Sequence, residues 1–228
     1  MITPFGPEIW ICDGPSITAA AGFHYPTRMV LVRLRDGGLW VWSPIPLMPA
    51  LKAAVDRLGP VQHLISPNCL HHMSMASWQA AYPEAVLYAM RGLGAKRPDL
   101  RIDVTFGQSI ATWSDEIGCV LIETRITPEA VFFHHHSRTV IFTDLLQQLP
   151  PDWFKGWRKL IARLDLMTSA ELAVPRKFRL AVQNRKDLRE QIASLLALNP
   201  EALIVAHGPC LQTGAAPLLR RAFSWAGG

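Results

Sequence analysis

Short, dense apolar runs alternate with turn-forming clusters along the first half of the chain. EIWICDG is the first run with strand character, and a Gly/Pro/Ser-rich turn follows it. RMVLVRL reads as a strand and Asp36-Gly37-Gly38 as a turn. LWVWS is the hairpin partner, stopped by Pro44 and Pro46. PALKAAVDRLG has helical spacing: Leu51, Ala54, Val55 and Leu58 share one face, and Gly59-Pro60 ends it. HLISP is the kind of apolar run a buried strand shows. A histidine-rich turn, a helix over MASWQAAYP, a strand over AVLYAM and a Gly/Lys/Arg/Pro loop follow.

The second half repeats this logic. CVLIETRI, AVFFHHH and TVIFTDLL predict strands separated by short turns. In DWFKGWRKLIARLDLM, the residues Phe154, Trp157, Leu160, Ile161 and Leu164 recur at helical spacing and predict an amphipathic helix. KDLREQIASLLAL predicts a second helix, with Leu188, Ile192, Leu195 and Leu196 on one face and Asn199-Pro200 as its breaker. ALIVAHG is a short buried strand, and APLLRRAFSWA a C-terminal helix. No repeat, low-complexity tract or linker interrupts the pattern, so a single domain over residues 1–228 is expected. Sheets covered by helices would bury both sets of apolar faces.

Composition narrows the class. Of 228 residues, 50% are hydrophobic and 18% charged, which excludes disorder as the main state and supports a core without disulfide staples. Cys12, Cys69, Cys119 and Cys210 are scattered and form no CxxC pair; reduced thiols and a cytoplasmic location are expected. No apolar run approaches the roughly 18 uncharged residues of a membrane span, and the first residues lack the basic and apolar regions of a signal peptide. Neither a membrane nor a secretory route is therefore expected. The 23 basic and 18 acidic residues leave a formal charge of +5, with much of the excess between Lys155 and Arg189. That permits anionic substrates without demanding them. No zinc-finger, helix-turn-helix or RRM signature accompanies it, which argues against nucleic acid.

Reactive side chains gather at four places. His71 and His72 follow the strand HLIS, and His134, His135 and His136 follow AVFF. Asp144 ends TVIFTD, and His207 ends LIVAHG. The ends of buried strands in such sheets are where ligand-binding loops converge. Imidazole and carboxylate together suit zinc, iron or manganese. Each residue also has a plain structural reading, as a hydrogen-bonded histidine beside a strand or, for the triple histidine, as an exposed turn.

Their joint order resembles the metallo-β-lactamase fold. That superfamily carries Thr-His-x-His-x-Asp-His after a strand, a later loop histidine, an Asp after a TGD-type strand and a terminal His-Gly. Here ISPNCLHH takes the first place: Ser66 stands for Thr, Pro67 and Cys69 for the first two His, His71 for Asp, and His72 keeps the last His. RITPEA resembles the GHTPGS loop with Ile126 at the His position; IFTDLL keeps Asp144 and VAHGP keeps His207. The wider string of DGP, VRLRDGGLWVWSPIPL, KRPDL, SRT, TDLL and VPRKFRL is similar to the branch called domain of unknown function 4336. The resemblance covers roughly residues 8–210.

This resemblance implies an α+β protein, an αββα four-layer sandwich. It also implies a metal site reduced from two ions to one, because Pro67, Cys69 and Ile126 replace the first ligand set. The second set maps to His71, His72, Asp144 and His207, which would hold one Zn or Fe ion. His134 and Asp144 are the candidate catalytic groups, and Cys69 or Cys210 a candidate thiolate ligand. Asn68 is a candidate substrate or ligand-orienting group, and Arg28, Arg138, Arg176 and Arg179 candidate anion binders. Trp78 and Tyr82 are expected in the core. The implied activity is metal-dependent hydrolysis of a small ester, amide, thioester or phosphoester. A non-catalytic binding or scaffold protein with a vestigial site is the alternative.

Overall fold

The hairpin predicted around Asp36 forms as expected. In a computed structural model of the protein, which describes residues 1–108 and 111–227, β3 (His24–Arg33) and β4 (Leu39–Trp42) pair antiparallel, with Val30 opposite Trp42 and Arg33 opposite Leu39. They belong to a seven-stranded sheet that also contains β1 (Thr3–Gly6), β2 (Ile9–Thr18), β5 (Val61–Ser66), β6 (Val86–Ala89) and β7 (Val104–Thr105), laid side by side in chain order. Strands β4 to β7 run parallel. The crossovers that parallel pairing requires are α1 (Pro49–Asp56), α2 (Met75–Ala81) and α3 (Leu93–Lys96). Proline opens α1, where its missing N–H costs nothing. Gly59 closes the turn into β5; a Cβ there would stand 2.5 Å from the Gly37 carbonyl oxygen, so the approach needs glycine.

A second, four-stranded sheet has the order β11-β10-β9-β8. It is built from β8 (Ile117–Ile122), β9 (Glu129–His134), β10 (Thr139–Gln147) and β11 (Ala202–His207). β9 and β10 are antiparallel, and β10 and β11 parallel. The long crossover carries α4 (Trp157–Leu164), α5 (Arg176–Ala181) and α6 (Arg185–Ala197), and α7 (Ala215–Ala222) follows β11. All residues of β9, β10 and β11 are buried, which explains why these runs show no polar alternation. The Asn184 side chain caps α6 by accepting the Lys186 N–H at 2.9 Å.

The chain divides into two compact units, Met1–Pro15 with Thr27–Ile117, and Ser16–Pro26 with Gly118–Gly228. The core of the first gathers Leu31, Val41, Leu64, Trp78 and Leu87. That of the second gathers Val131, Phe142, Phe178, Leu195, Val205 and Leu219. No helix among the described residues is long and apolar enough to cross a membrane.

Three local expectations change. The Gly/Pro/Ser segment after EIWICDG continues β2, the loop after AVLYAM contains α3, and the strand over CVLIETRI stops at Ile122. The amphipathic helix forms as α4, yet its apolar residues do not enter the core: Phe154, ahead of the helix, and Ala162 are buried, while Trp157, Leu160, Ile161 and Leu164 are exposed. Spacing shows that a helix has one apolar side; it does not show what covers that side.

Candidate metal site

In the first unit, the turn after β5 is tied by Asn68. Its Oδ1 accepts the backbone N–H groups of Leu70 at 2.8 Å and His71 at 3.0 Å, an Asx-type turn that presents the two histidines. Asn68 thus shapes the loop through the backbone N–H of His71. His71 Nδ1 lies 2.7 Å from Ser43 Oγ, and its ring sits 6.2 Å from that of Trp42. Ser43 holds this place with a left-handed backbone, φ 49°.

His72 is committed elsewhere. Arg97 Nη1 donates to its Nδ1 at 2.9 Å and to its carbonyl oxygen at 3.0 Å. A guanidinium cannot accept, so Nδ1 is the acceptor and the proton of a neutral ring sits on Nε2. Burial, followed by the charges of Lys96 and Arg97, pushes the His72 pKa down to about 4 and keeps that ring neutral. Cys69 Sγ points at the Arg91 carbonyl oxygen, 3.4 Å away.

In the second unit, Asp144 lies within β10 and His207 ends the adjacent parallel strand β11. His207 Nε2 stands 3.2 Å from Asp144 Oδ1, and both side chains are buried. His207 Nδ1 lies 2.8 Å from the carbonyl oxygen of Pro26, which can only accept, so Nδ1 carries the proton. A neutral His207 then turns the Nε2 lone pair toward a carboxylate oxygen. Such a contact between two acceptors calls for a positive charge between them, a second proton or a cation.

The position of Asp144 is the work of a residue that the sequence did not mark. Phe142 pairs with Val205 and the next register pair is Gln147 with His207, so residues 143–146 bulge out of the ladder. Glu129, fully buried at the start of β9, collects the freed amides. It accepts the N–H of Thr143 at 2.7 Å, of Asp144 at 2.8 Å and of Leu145 at 3.1 Å. Burial and the Asp144 charge raise the Glu129 pKa against the pull of these three donors. The Gln147 side chain donates to the Asp144 carbonyl oxygen at 3.0 Å. A lone carboxyl heading the apolar run EAVFFH was the available signal for Glu129.

Tyr25 is a second residue without a sequence signal. Its ring lies 5.2 Å from that of His207, and Lys177 Nζ reaches its hydroxyl at 3.4 Å. Burial raises its pKa despite Lys177, so the phenol stays protonated.

His134 is not brought to this place. It pairs with Thr139 at the far end of β10, five residues from Asp144, about 16 Å along a strand at roughly 3.3 Å per residue. Its Nδ1 lies 2.7 Å from Ser137 Oγ, and His135 and His136 form the exposed turn. Among the arginines, Arg28 pairs with Asp13 at 2.7 Å and Arg138 with Glu201 at 2.8 Å. Arg176 binds the Leu164 carbonyl and Arg179 that of Val174, so all four have structural partners. Trp78 is core, its Nε1 donating to the Ile45 carbonyl oxygen at 2.7 Å, and Tyr82 binds Asp56. Ile126 is exposed, and Cys210 is half-buried in the loop after β11.

Of the four expected ligands, Asp144 and His207 meet within the second unit, while His71 and His72 belong to the first. A buried imidazole and carboxylate facing each other are donors suited to zinc or iron, so these two residues fit the ion that the resemblance implies.

The protein has the metallo-β-lactamase fold. It matches a metallo-β-lactamase from Pontibacter korlensis with a TM-score of 0.64 at 15% identity, over 99% of this chain and 98% of that one. It matches the mono-zinc form of the metallo-β-lactamase FIM-1 from Pseudomonas aeruginosa with a TM-score of 0.60 at 12% identity, over 99% and 92% of the two chains. A metal-soaked flavodiiron core from Synechocystis is matched with a TM-score of 0.67 at 12% identity, over 99% of this chain and 60% of that one. In sequence, residues 8–93 match the family described as domain of unknown function (DUF4336). No curated protein matches the chain in sequence.

Proposed function

We propose that the chain acts as a single metallo-β-lactamase-like domain, residues 1–228, and is a metal-dependent hydrolase. On the resemblance to metallo-β-lactamases, His71, Asp144 and His207 would be the ligands of one zinc or iron ion, and the substrate is a small ester, amide, thioester or phosphoester. The observation that carries this reading is the 3.2 Å contact between His207 Nε2 and Asp144 Oδ1, with the other imidazole nitrogen spent on a carbonyl oxygen. Metal-binding histidines generally show this arrangement, one nitrogen on the ion and the other N–H on a carbonyl or carboxylate. A bound ion supplies Lewis-acid polarisation of a carbonyl or phosphoryl oxygen and a nucleophile at neutral pH.

The chain's own groups do the rest. Pro26 fixes the tautomer of His207, and Glu129 fixes the bulge that aims Asp144. Tyr25, protonated and beside His207, is the group we assign to hydrogen-bond a substrate oxygen. Asp144 keeps the catalytic role expected of it. We leave His134 out for its distance, and His72 out of the ligand set for its bond to Arg97. None of the four cysteines forms a disulfide, which supports a cytoplasmic setting.

A second reading, a binding or scaffold protein with a vestigial site, is favoured by the lost ligand positions. Pro67 cannot ligate, Ile126 is exposed, and Cys69 and His72 turn to Arg91 and Arg97. Elemental mass spectrometry on purified protein tests both. The hydrolase reading expects one equivalent of zinc or iron, lost in His207→Ala, together with turnover of generic esters or phosphoesters. Metal without turnover supports the second reading. Metal-free protein that zinc and ferrous iron fail to stabilise against heat overturns the hydrolase reading and leaves the second.

A further inference from the structure

Helix α4 turns its apolar side to solvent. Trp157, Leu160, Ile161 and Leu164 are exposed by 52%, 60%, 44% and 56%. Their i, i+3, i+4, i+7 spacing makes them one continuous stripe. Ala162, on the opposite side, is the helix residue that packs inward. On α5, whose Arg176 binds the last carbonyl of α4 at 2.7 Å, Leu180 is exposed by 78%.

Lys155, Arg158, Lys159 and Arg163 lie on α4 or just ahead of it, beside the stripe. Residues 155–189 carry ten lysines and arginines against three acidic residues, more excess charge than the +5 of the whole chain. The Arg158 guanidinium lies 4.7 Å from the Trp157 ring centre. Lys155 and Arg163 are exposed and make no ion pair among the described residues.

We propose that the α4 face docks on an anionic lipid surface. Apolar side chains on one side of a helix, an aromatic at its end and lysine and arginine on the flanks are the features that seat a helix in the boundary between headgroups and acyl chains. Each cation near a negatively charged leaflet adds attraction that salt weakens. The association is peripheral, since no described helix can span a bilayer. It departs from the expectation of no membrane, which rested on the lack of a spanning run and of a signal peptide. A second copy of the chain is a poor occupant, because a two-fold contact would set one cationic segment against another. The stripe's one polar side-chain atom is the Trp157 indole nitrogen, so it offers little to the shaped site of an acidic protein and suits a fluid surface better. A chain of ring contacts links it to the candidate site: Trp157 to Phe23 at 5.8 Å, Phe23 to Phe154 at 5.0 Å, Phe154 to Tyr25 at 6.4 Å and Tyr25 to His207 at 5.2 Å. The proposal does not depend on a metal being bound.

Vesicle flotation of the full chain tests it. The wild type is expected to float with vesicles of equal parts phosphatidylcholine and phosphatidylglycerol, to stay behind with phosphatidylcholine alone, and to be released by salt. The double variant Leu160→Glu/Leu164→Glu should bind at least about tenfold more weakly. Lys155→Glu/Arg163→Glu should weaken binding while leaving the apolar stripe intact. All four positions are exposed, so both variants should keep the wild-type circular dichroism and melting temperature. The proposal is overturned if the wild type fails to float with anionic vesicles at low salt, or if both variants float as well as it does. A concentration-dependent dimer abolished by the first variant, or binding to acidic polypeptides without vesicle binding, also overturns it.

Discussion

His207 Nε2 faces Asp144 Oδ1 at 3.2 Å while His207 Nδ1 is spent on the Pro26 carbonyl. Asparagine at position 144 would turn this contact between two acceptors into an ordinary hydrogen bond, its amide donating to Nε2. Asp144→Asn is therefore expected to abolish metal uptake while leaving the chelator-treated protein at least as heat-stable as wild type. Scanning fluorimetry with and without chelator at about pH 8, where an ordinary imidazole is neutral, reads both effects. A marked loss of stability in the metal-free variant would mean that the wild-type pair is an imidazolium–carboxylate ion pair.

The neighbouring histidines should separate cleanly. His72 is bonded to Arg97, whereas His71 Nδ1 lies against Ser43 and His71 is a ligand in the set we propose. His72→Ala is expected to retain about one equivalent of metal by elemental analysis, and His71→Ala to lose affinity by about tenfold or more. The reverse ranking would return His72 to the ligand set.

Removal of the Glu129 side chain leaves three buried N–H groups, those of Thr143, Asp144 and Leu145, without their acceptor. At about 1–3 kcal/mol for each buried group left unpaired, Glu129→Ala should cost about 3 kcal/mol or more in urea unfolding. Metal affinity should fall with it, since Asp144 loses its support. A loss under about 1 kcal/mol would show that the bulge holds without Glu129.

A pH effect arises from a buried histidine outside the proposed ligand set. His63, on β5, is buried beside Tyr88, its Nδ1 makes no hydrogen bond among the described residues, and burial lowers its pKa. The unfolded chain then binds this proton more readily than the folded one. The stabilisation is complete above the ordinary histidine pKa of about 6.5 and is lost as pH falls through the range below it. Stability should drop between about pH 7.5 and about pH 5.5, and His63→Phe should flatten that drop. His72 adds a dependence of the same sign, so the slope will not vanish.

Much of the fold was legible in the chain because it is written in local patterns. The hairpin around Asp36-Gly37-Gly38, the strand end at His207 and the breaker of α6 all follow from neighbours in sequence. Asp144 and His207 stood out because each ends an unbroken apolar run, where a polar group needs a partner. Which of two adjacent histidines turns inward was not legible, because a loop follows no alternation. The role of Glu129 was hidden as well, since its partners are amides released by a bulge on another strand.

The sequence by itself determined the element order, the buried strands of the second sheet and the two residues, Asp144 and His207, that later meet, because periodicity, turn chemistry and interrupted apolar runs are properties of short segments. Tertiary structure alone decided that His72 belongs to Arg97, that His134 lies at the wrong end of its strand, that Glu129 shapes the bulge and that the apolar side of α4 faces outward. Each of those depends on which distant backbone or side chain arrives next to the residue, and that is set by strand register and packing.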